Sequence, residues 1–208
     1  NQSQEWRRWG GHLAATQYGL SHENEYFAIR TKAALLDISP LYKYSIEGPD
    51  ALLFLDRLVT RNIQICKIGQ IMYTPWCDEN GKVVDDGTVQ RLEKERFRLT
   101  SAEPNLTWLI DNAIGMDVFI SDDSRKTSAL ALQGPNSREI LNTISSNSLN
   151  GLKFFCLIDT ELKGLSVTIS RTGLQISKRI VNRSSCTNGG EMLCFFDVIF
   201  SKFNPRIN

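Results

Sequence analysis

Two apolar runs joined by Asp78-Glu79-Asn80-Gly81 constrain this chain more than any other feature. The turn chemistry makes the residues near 70–77 and 82–92 a β-hairpin. Strand alternation then places Val83, Asp85, Gly87 and Val89 on one face of the second strand, and Val84, Asp86, Thr88 and Gln90 on the other. The adjacent acids Asp85 and Asp86 therefore point in opposite directions. One meets water at little cost, while the other faces apolar neighbours or a ligand, and a carboxylate stripped of water is costly unless paired. Such a group is a candidate acid, base or anchor for a polar ligand. The competing reading is a pair of acids that merely ends a strand beside a turn.

The elements around the hairpin set the fold class. Tyr44 to Ile46 reads as a strand, and Pro49-Asp50-Ala51 opens an amphipathic helix with Leu52, Phe54, Leu55, Leu58 and Val59 as its buried stripe. After the hairpin, Arg96 to Thr100 alternates as a further strand. A helix from Pro104 carries Leu106, Leu109, Ile110 and Ala113 and ends at Gly115, and Met116 to Ser121 returns as a strand. The order β-α-β-β-β-α-β is a ferredoxin-like split βαβ pattern with one extra hairpin strand, so the class is α+β. Upstream, Ser21-His22-Glu23-Asn24 resembles a helix start, with loose helical spacing that runs to Leu35 and Leu36. Downstream come a strand at Ala129–Leu132, a helix over 136–144, and strands near 153–159 and 165–171. From Leu174 the pattern is lost, and Met192 to Phe200 is apolar without clear period.

Composition excludes several classes. The 208 residues suffice for one large domain or two interlocked small ones, and a net charge of +1 gives no bulk basicity that would point to nucleic acid. No apolar run reaches the length of a membrane span. Five cysteines without a CxxC pair, and two histidines, argue against a zinc site. Reduced thiols fit a cytoplasmic compartment, or the mitochondrial matrix of a eukaryote.

Six motifs stand in order: Arg30-Thr31-x-Ala33-x-Leu35-x-Asp37-Ile38-Ser39, Ile46-x-Gly48-x-Asp50-Ala51, Gly69-x3-Tyr73, Gly81-x2-Val84-Asp85-Asp86, Leu132-Gln133-Gly134-Pro135-x-Ser137 and Ser170-Arg171-Thr172-Gly173. Together they resemble the folate-binding domain of the aminomethyltransferase family, the glycine cleavage system T-protein and its tetrahydrofolate-dependent relatives. The resemblance covers roughly residues 6–173. It implies a ferredoxin-like unit over 43–127 inserted in a mainly antiparallel β unit made of 1–42 and 128–173, with 174–208 as an atypical tail. Tetrahydrofolate is the implied cofactor, bound in a central channel.

The resemblance also implies site residues. Asp85 is the expected catalytic acid and pterin contact, Tyr73 lines the pocket, and Leu41 stands where family members carry a Met. Gly87 replaces a usual apolar residue, which is expected to widen the pocket beside Asp85. Val89 is an expected apolar wall, and Asp86 a structural or solvated partner. Arg171 either shapes the pocket or forms a surface ion pair, and Lys43 either meets the glutamate tail of folate or is solvated. Trp6, Trp9, His12 and Tyr18 line a cleft or pack as core.

The implied reaction moves a one-carbon unit from an aminomethyl-lipoyl carrier, a methylated amine or another methyl donor to tetrahydrofolate, so the implied partners are folate, a small donor and a lipoyl carrier protein. A desolvated carboxylate on a rigid strand would orient the pterin and handle its proton. After Gly173 the family's aromatic-Thr-Gly-Glu/Asp-x-Gly-Tyr-Glu segment gives way to Leu174-Gln175-Ile176-Ser177. A second folate-contacting acid and the C-terminal domain are therefore missing from the expected pattern, which predicts a frameshifted, misspliced or truncated chain with an exposed apolar tail. A non-catalytic folate-binding scaffold, or an inactive relic, is the alternative reading.

Overall fold

The computed structural model describes residues 2–172 and the backbone of residues 195–200. Gly173, the tail over 174–194 and residues 201–208 lie outside the described residues, and so do the expectations attached to them.

The hairpin consists of β5 (Ile71–Cys77) and β6 (Val83–Arg91). Asp78 builds its turn, since Oδ1 accepts from the Asn80 and Lys82 amides at 2.9 and 2.8 Å, and Gly81 takes the left-handed conformation (φ 75°). With β4 (Tyr42–Glu47), β7 (Arg96–Ser101) and β8 (Phe119–Asp122) it forms an antiparallel sheet of order β5-β6-β7-β4-β8. Helices α2 (Ala51–Leu58) and α3 (Leu106–Asn112) complete the expected β-α-β-β-β-α-β order.

The core of this unit follows the pattern of apolar residues. Phe54, Leu55 and Val59 of the α2 stripe are buried with Tyr44, Ile46, Trp76, Val89, Phe97, Leu99 and Leu109, while Leu52, Leu58 and Leu106 pack at its margin. Ile110 departs from the expected stripe: it is exposed on the outer side of α3. The last strand begins at Phe119 rather than at Met116, because the chain turns at Ala113 to Val118.

The second sheet has the order β10-β11-β12-β9-β3. Its strands are β3 (Ala34–Asp37), β9 (Ser128–Gln133), β10 (Cys156–Leu162), β11 (Leu165–Thr172) and β12 (Phe195–Phe200), with α4 (Ser137–Ile144) between β9 and β10. Two expectations fail here. Helix α1 (His22–Thr31) stops before Leu35 and Leu36, which belong to edge strand β3 because pairing with β9 outweighs loose helical spacing. The stretch read as a patternless apolar tail supplies β12, which pairs with β11 on one side and β9 on the other. Central strands read as continuous apolar runs, which periodicity does not identify.

The segments 38–41 and 123–127 carry the chain from one sheet to the other and back. At another edge the sheets meet directly: the Ile71 amide donates to Phe155 O at 2.9 Å and the Leu157 amide to Gly69 O at 2.8 Å. A short hairpin of β1 (Trp6–Trp9) and β2 (His12–Ala15), which sequence reading missed, precedes α1. No helix among the described residues is long and apolar enough to cross a membrane, and among them no group of three His, Cys, Asp or Glu residues could hold a metal ion.

Candidate functional site

Register decides what the two acids face. Along the hairpin Tyr73 lies opposite Thr88, Pro75 opposite Asp86 and Trp76 opposite Asp85, but Cys77 lies opposite Val83. The ladder skips Val84 as a β-bulge, and every β6 residue beyond it is displaced by one relative to an unbroken hairpin. Tyr73 consequently shares its face with Asp86 and Thr88, whereas Asp85 shares the helix-covered face with Trp76 and Val89.

Asp85 is the buried acid, at 7% exposure, and its carboxylate is committed to protein donors. Oδ1 accepts from the Asp86 amide at 2.8 Å, while Oδ2 accepts from the Glu103 amide at 3.1 Å and from Asn105 Nδ2 at 2.7 Å. Asn105 is itself fixed, since its backbone amide donates to the Tyr44 hydroxyl at 2.7 Å and its side chain also donates to Glu103 O at 3.0 Å. Burial pushes the Tyr44 phenol above its ordinary pKa, so it remains a neutral partner. The expected catalytic carboxylate is therefore the anchor of the loop that leads into α3. That is a correction, and Asn105 and Tyr44 give its physical reason.

Asp86, not Asp85, stands beside Tyr73. It is exposed, and its Oδ2 accepts a hydrogen bond from the Tyr73 hydroxyl. Oδ1 takes no hydrogen bond from the described residues. The hydrogen bond to Asp86 is the main cause that raises the Tyr73 pKa, with burial and the charges of Asp86 and Asp85 adding to it. Tyr73 is 47% exposed, so its ring is open to a ligand.

A row of polar residues runs across the sheet from this pair. Tyr73 lies opposite Thr88, Thr88 opposite Thr100, and Thr100 opposite Lys43. Directly opposed residues share a face, so the four side chains line one lane across β5, β6, β7 and β4. The Thr88 and Thr100 hydroxyls are hydrogen-bonded at 2.5 Å. Arg98 stands on the same face beside the lane. Burial lowers its pKa, and Asp123 and Asp159 oppose that shift. Asp159 belongs to β10, so this face is turned towards the second sheet.

The remaining expected site residues divide. Gly87 opens no space: a Cβ built there would lie 1.7 Å from Thr100 O, so the missing side chain lets β7 come close instead of widening a pocket. Val89 has no exposed surface and is part of the core under α2 and α3, so it offers no wall to a ligand. Leu41 is half-buried in the first crossover, immediately before β4. Arg171, on β11, donates to Leu152 O at 2.9 Å and stacks 3.8 Å from the centre of the Phe154 ring, contacts within its own half of the molecule. Lys43 is not solvated. It is 1% exposed and donates from Nζ to Ser39 O and Leu41 O, both at 2.8 Å, so it is not free for a glutamate tail. Trp6, Trp9, His12 and Tyr18 line a cavity of about 600 Å³ with Leu35 and Pro40, apart from Tyr73 and Asp86.

The chain matches the family model described as GCVT N-terminal domain over residues 2–175. It is 37% identical over 153 residues to an aminomethyltransferase of Halothermothrix orenii, covering 72% of this chain and 43% of the relative. An aminomethyltransferase of Halalkalibacterium halodurans is 36% identical over 169 residues, covering 79% of this chain and 46% of the relative. The chain thus spans less than half the length of these curated relatives. Its fold is that of the glycine cleavage system aminomethyltransferase T from Bartonella henselae, with a TM-score of 0.76 and 24% identity over 94% of this chain and 49% of that one.

Proposed function

Because this chain belongs to the GCVT N-terminal domain family, we propose that it binds tetrahydrofolate on the Tyr73–Asp86 face and serves transfer of a one-carbon unit to it. The observation that carries this reading is the Tyr73–Asp86 pair itself: an exposed carboxylate with one oxygen that no described residue uses, oriented by a phenol, on a rigid hairpin. A reduced pterin presents a row of N–H donors, and an ionised carboxylate is acceptor-only, so the two fit. The unused Oδ1 of Asp86 would accept from the pterin, while the Tyr73 ring packs against its flat face.

The chemistry asked of the chain is modest. A folate nitrogen that attacks an electrophilic one-carbon unit must lose a proton. Asp86 is placed to hold or receive that proton, and Tyr73 to tune its basicity through the hydrogen bond they share. The second sheet, with the half-buried Leu41 crossover, would limit the access of water to the reacting carbon. In this reading the unit 43–127 supplies the polar floor, and 1–42 with 128–173 supplies the facing wall, to which β12 of the tail adds a strand. The one-carbon donor is an aminomethyl group on a lipoyl carrier protein, in keeping with relatives named aminomethyltransferase.

Calorimetric titration of the 208-residue chain with tetrahydrofolate tests the reading. Saturable binding that is lost in Asp86→Asn and kept in Asp85→Asn supports it, and binding indifferent to Asp86 sinks it. A second reading, a folate-binding scaffold without turnover, is favoured by the commitment of Asp85, the expected catalytic acid, to the Glu103 amide and Asn105. Binding without formation of methylene-tetrahydrofolate from an aminomethylated carrier would select it.

A further inference from the structure

Lys43 is a buried titratable group that the proposed reaction does not use, and its hydrogen bonds fall on the two segments that cross between the sheets. Its Nζ donates to Ser39 O and Leu41 O of the first crossover. Its backbone amide donates to Ser124 Oγ at 2.9 Å, and its carbonyl accepts from the Asp123 amide at 2.8 Å, both in the second crossover. Ser39 closes the ring: its Oγ accepts from the Ala129 amide at 3.1 Å, where the second crossover enters β9.

We propose that Lys43 is a positioning residue that clamps both crossovers, so that any opening that hydrates its amine releases the Leu41 turn and lets the sheets shift about the site between them. The clamp rests on the reading of the Tyr73–Asp86 face as the folate site only for its effect on ligand. The clamp itself stands on the four hydrogen bonds.

The charges around the amine decide how the clamp responds to pH. Asp37 of β3 and Asp122 of β8 favour the ammonium, Arg98 of β7 opposes it, and none of the three lies at ion-pair distance. Removal from water is the largest influence and brings the Lys43 pKa down to about 8. An amine that becomes hydrated on opening returns towards its ordinary value near 10.5. Opening therefore takes up a proton between these limits and becomes rarer as pH rises. The clamp survives deprotonation, because a neutral amine keeps two N–H donors for its two carbonyl acceptors.

Hydrogen exchange of the full chain, followed by mass spectrometry from pH 7 to 9.5 and corrected for intrinsic rates, tests this. In the wild type the opening constant of 38–42 falls above pH 8, approaching tenfold per pH unit. Lys43→Met abolishes that slope and speeds exchange of 38–42 at least tenfold relative to α2 and α3. Ser124→Ala leaves Lys43 in place, so it retains the slope and loosens 123–127. A flat wild-type profile, or a slope that persists in Lys43→Met, overturns the clamp. Asp86→Asn separates the two readings: it removes tetrahydrofolate binding and leaves the exchange of 38–42 at the wild-type rate. If the wild type binds no folate yet shows the slope, the folate reading fails and the clamp stands.

Discussion

The Tyr73 hydroxyl donates its hydrogen bond across the hairpin to Asp86 rather than to Asp85. Two acids adjacent in sequence thereby take separate tasks, one exposed beside a phenol and the other enclosed by Asn105 and the Glu103 amide.

Neutralising each acid separates these tasks. Asp86→Asn lowers tetrahydrofolate affinity at least tenfold, about 1.4 kcal/mol, without moving the melting temperature. Asp85→Asn instead weakens the fold by roughly 1–3 kcal/mol, because the Glu103 amide and Asn105 lose a charged acceptor in a buried place. Calorimetry paired with thermal denaturation distinguishes the two, and a stability loss in Asp86→Asn larger than that in Asp85→Asn would contradict the assignment.

Ultraviolet titration of the tyrosines reads the same pair. The wild type contains a phenol, Tyr73, that ionises above the ordinary range because its proton is held in the hydrogen bond to Asp86, with burial and the nearby carboxylate charges adding to the effect. Asp86→Asn returns that phenol towards pH 10, and Tyr73→Phe removes it from the curve. An unchanged titration in Asp86→Asn would break the link.

Gly87→Ala tests the close approach of β6 and β7. A methyl group built there lies 1.7 Å from Thr100 O, and only backbone movement relieves that clash. The expected loss is on the order of 2–4 kcal/mol of unfolding free energy in a denaturant melt. A neutral outcome would mean that the two strands lie farther apart in solution.

Stability should rise with pH just above neutrality. The folded-state pKa of Lys43, about 8, lies below its unfolded value, so the unfolded chain binds more protons between pH 8 and 10.5. This contribution is complete above pH 10.5 and is lost as pH falls through 8, with a full size of roughly 3 kcal/mol. Cys66, Tyr44 and Tyr73 have raised pKa values and act in the opposite sense, the thiol as pH climbs past 9 and the phenols past 10, so the window for the measurement is pH 8 to 9. Denaturant melts across that window should show a gain in the wild type that Lys43→Met lacks.

The α+β class and the β-α-β-β-β-α-β order were legible because they rest on local signals: the Asp78–Gly81 turn, Pro49 ahead of α2, and the Phe54–Leu55–Val59 stripe. Tyr73 was legible as a strand residue of the hairpin, while its place in a site came only from the family resemblance. Leu35 and Leu36, and the strand Phe195–Phe200, were not, since each becomes a strand only by pairing with β9, far away in sequence. Lys43 and Val89 were misread because burial belongs to the packed sheets rather than to residue type: a lysine is ordinarily wet and a valine beside an acid suggests a wall, yet here the lysine is sealed under a crossover and the valine lies under two helices.

The sequence by itself determined that this hairpin forms, that it carries two acids on opposite faces, and that Tyr73 stands on one of those faces. Which acid joins Tyr73 was decided by the bulge at Val84. Without it Tyr73 would lie opposite Gly87 and share its face with Asp85; with it Tyr73 lies opposite Thr88 and meets Asp86. A side-chain period of two makes a slip of one residue exchange the faces completely. The slip itself arises where Trp76 enters the core beneath the helices, an arrangement that exists only once the sheet and its helices are assembled.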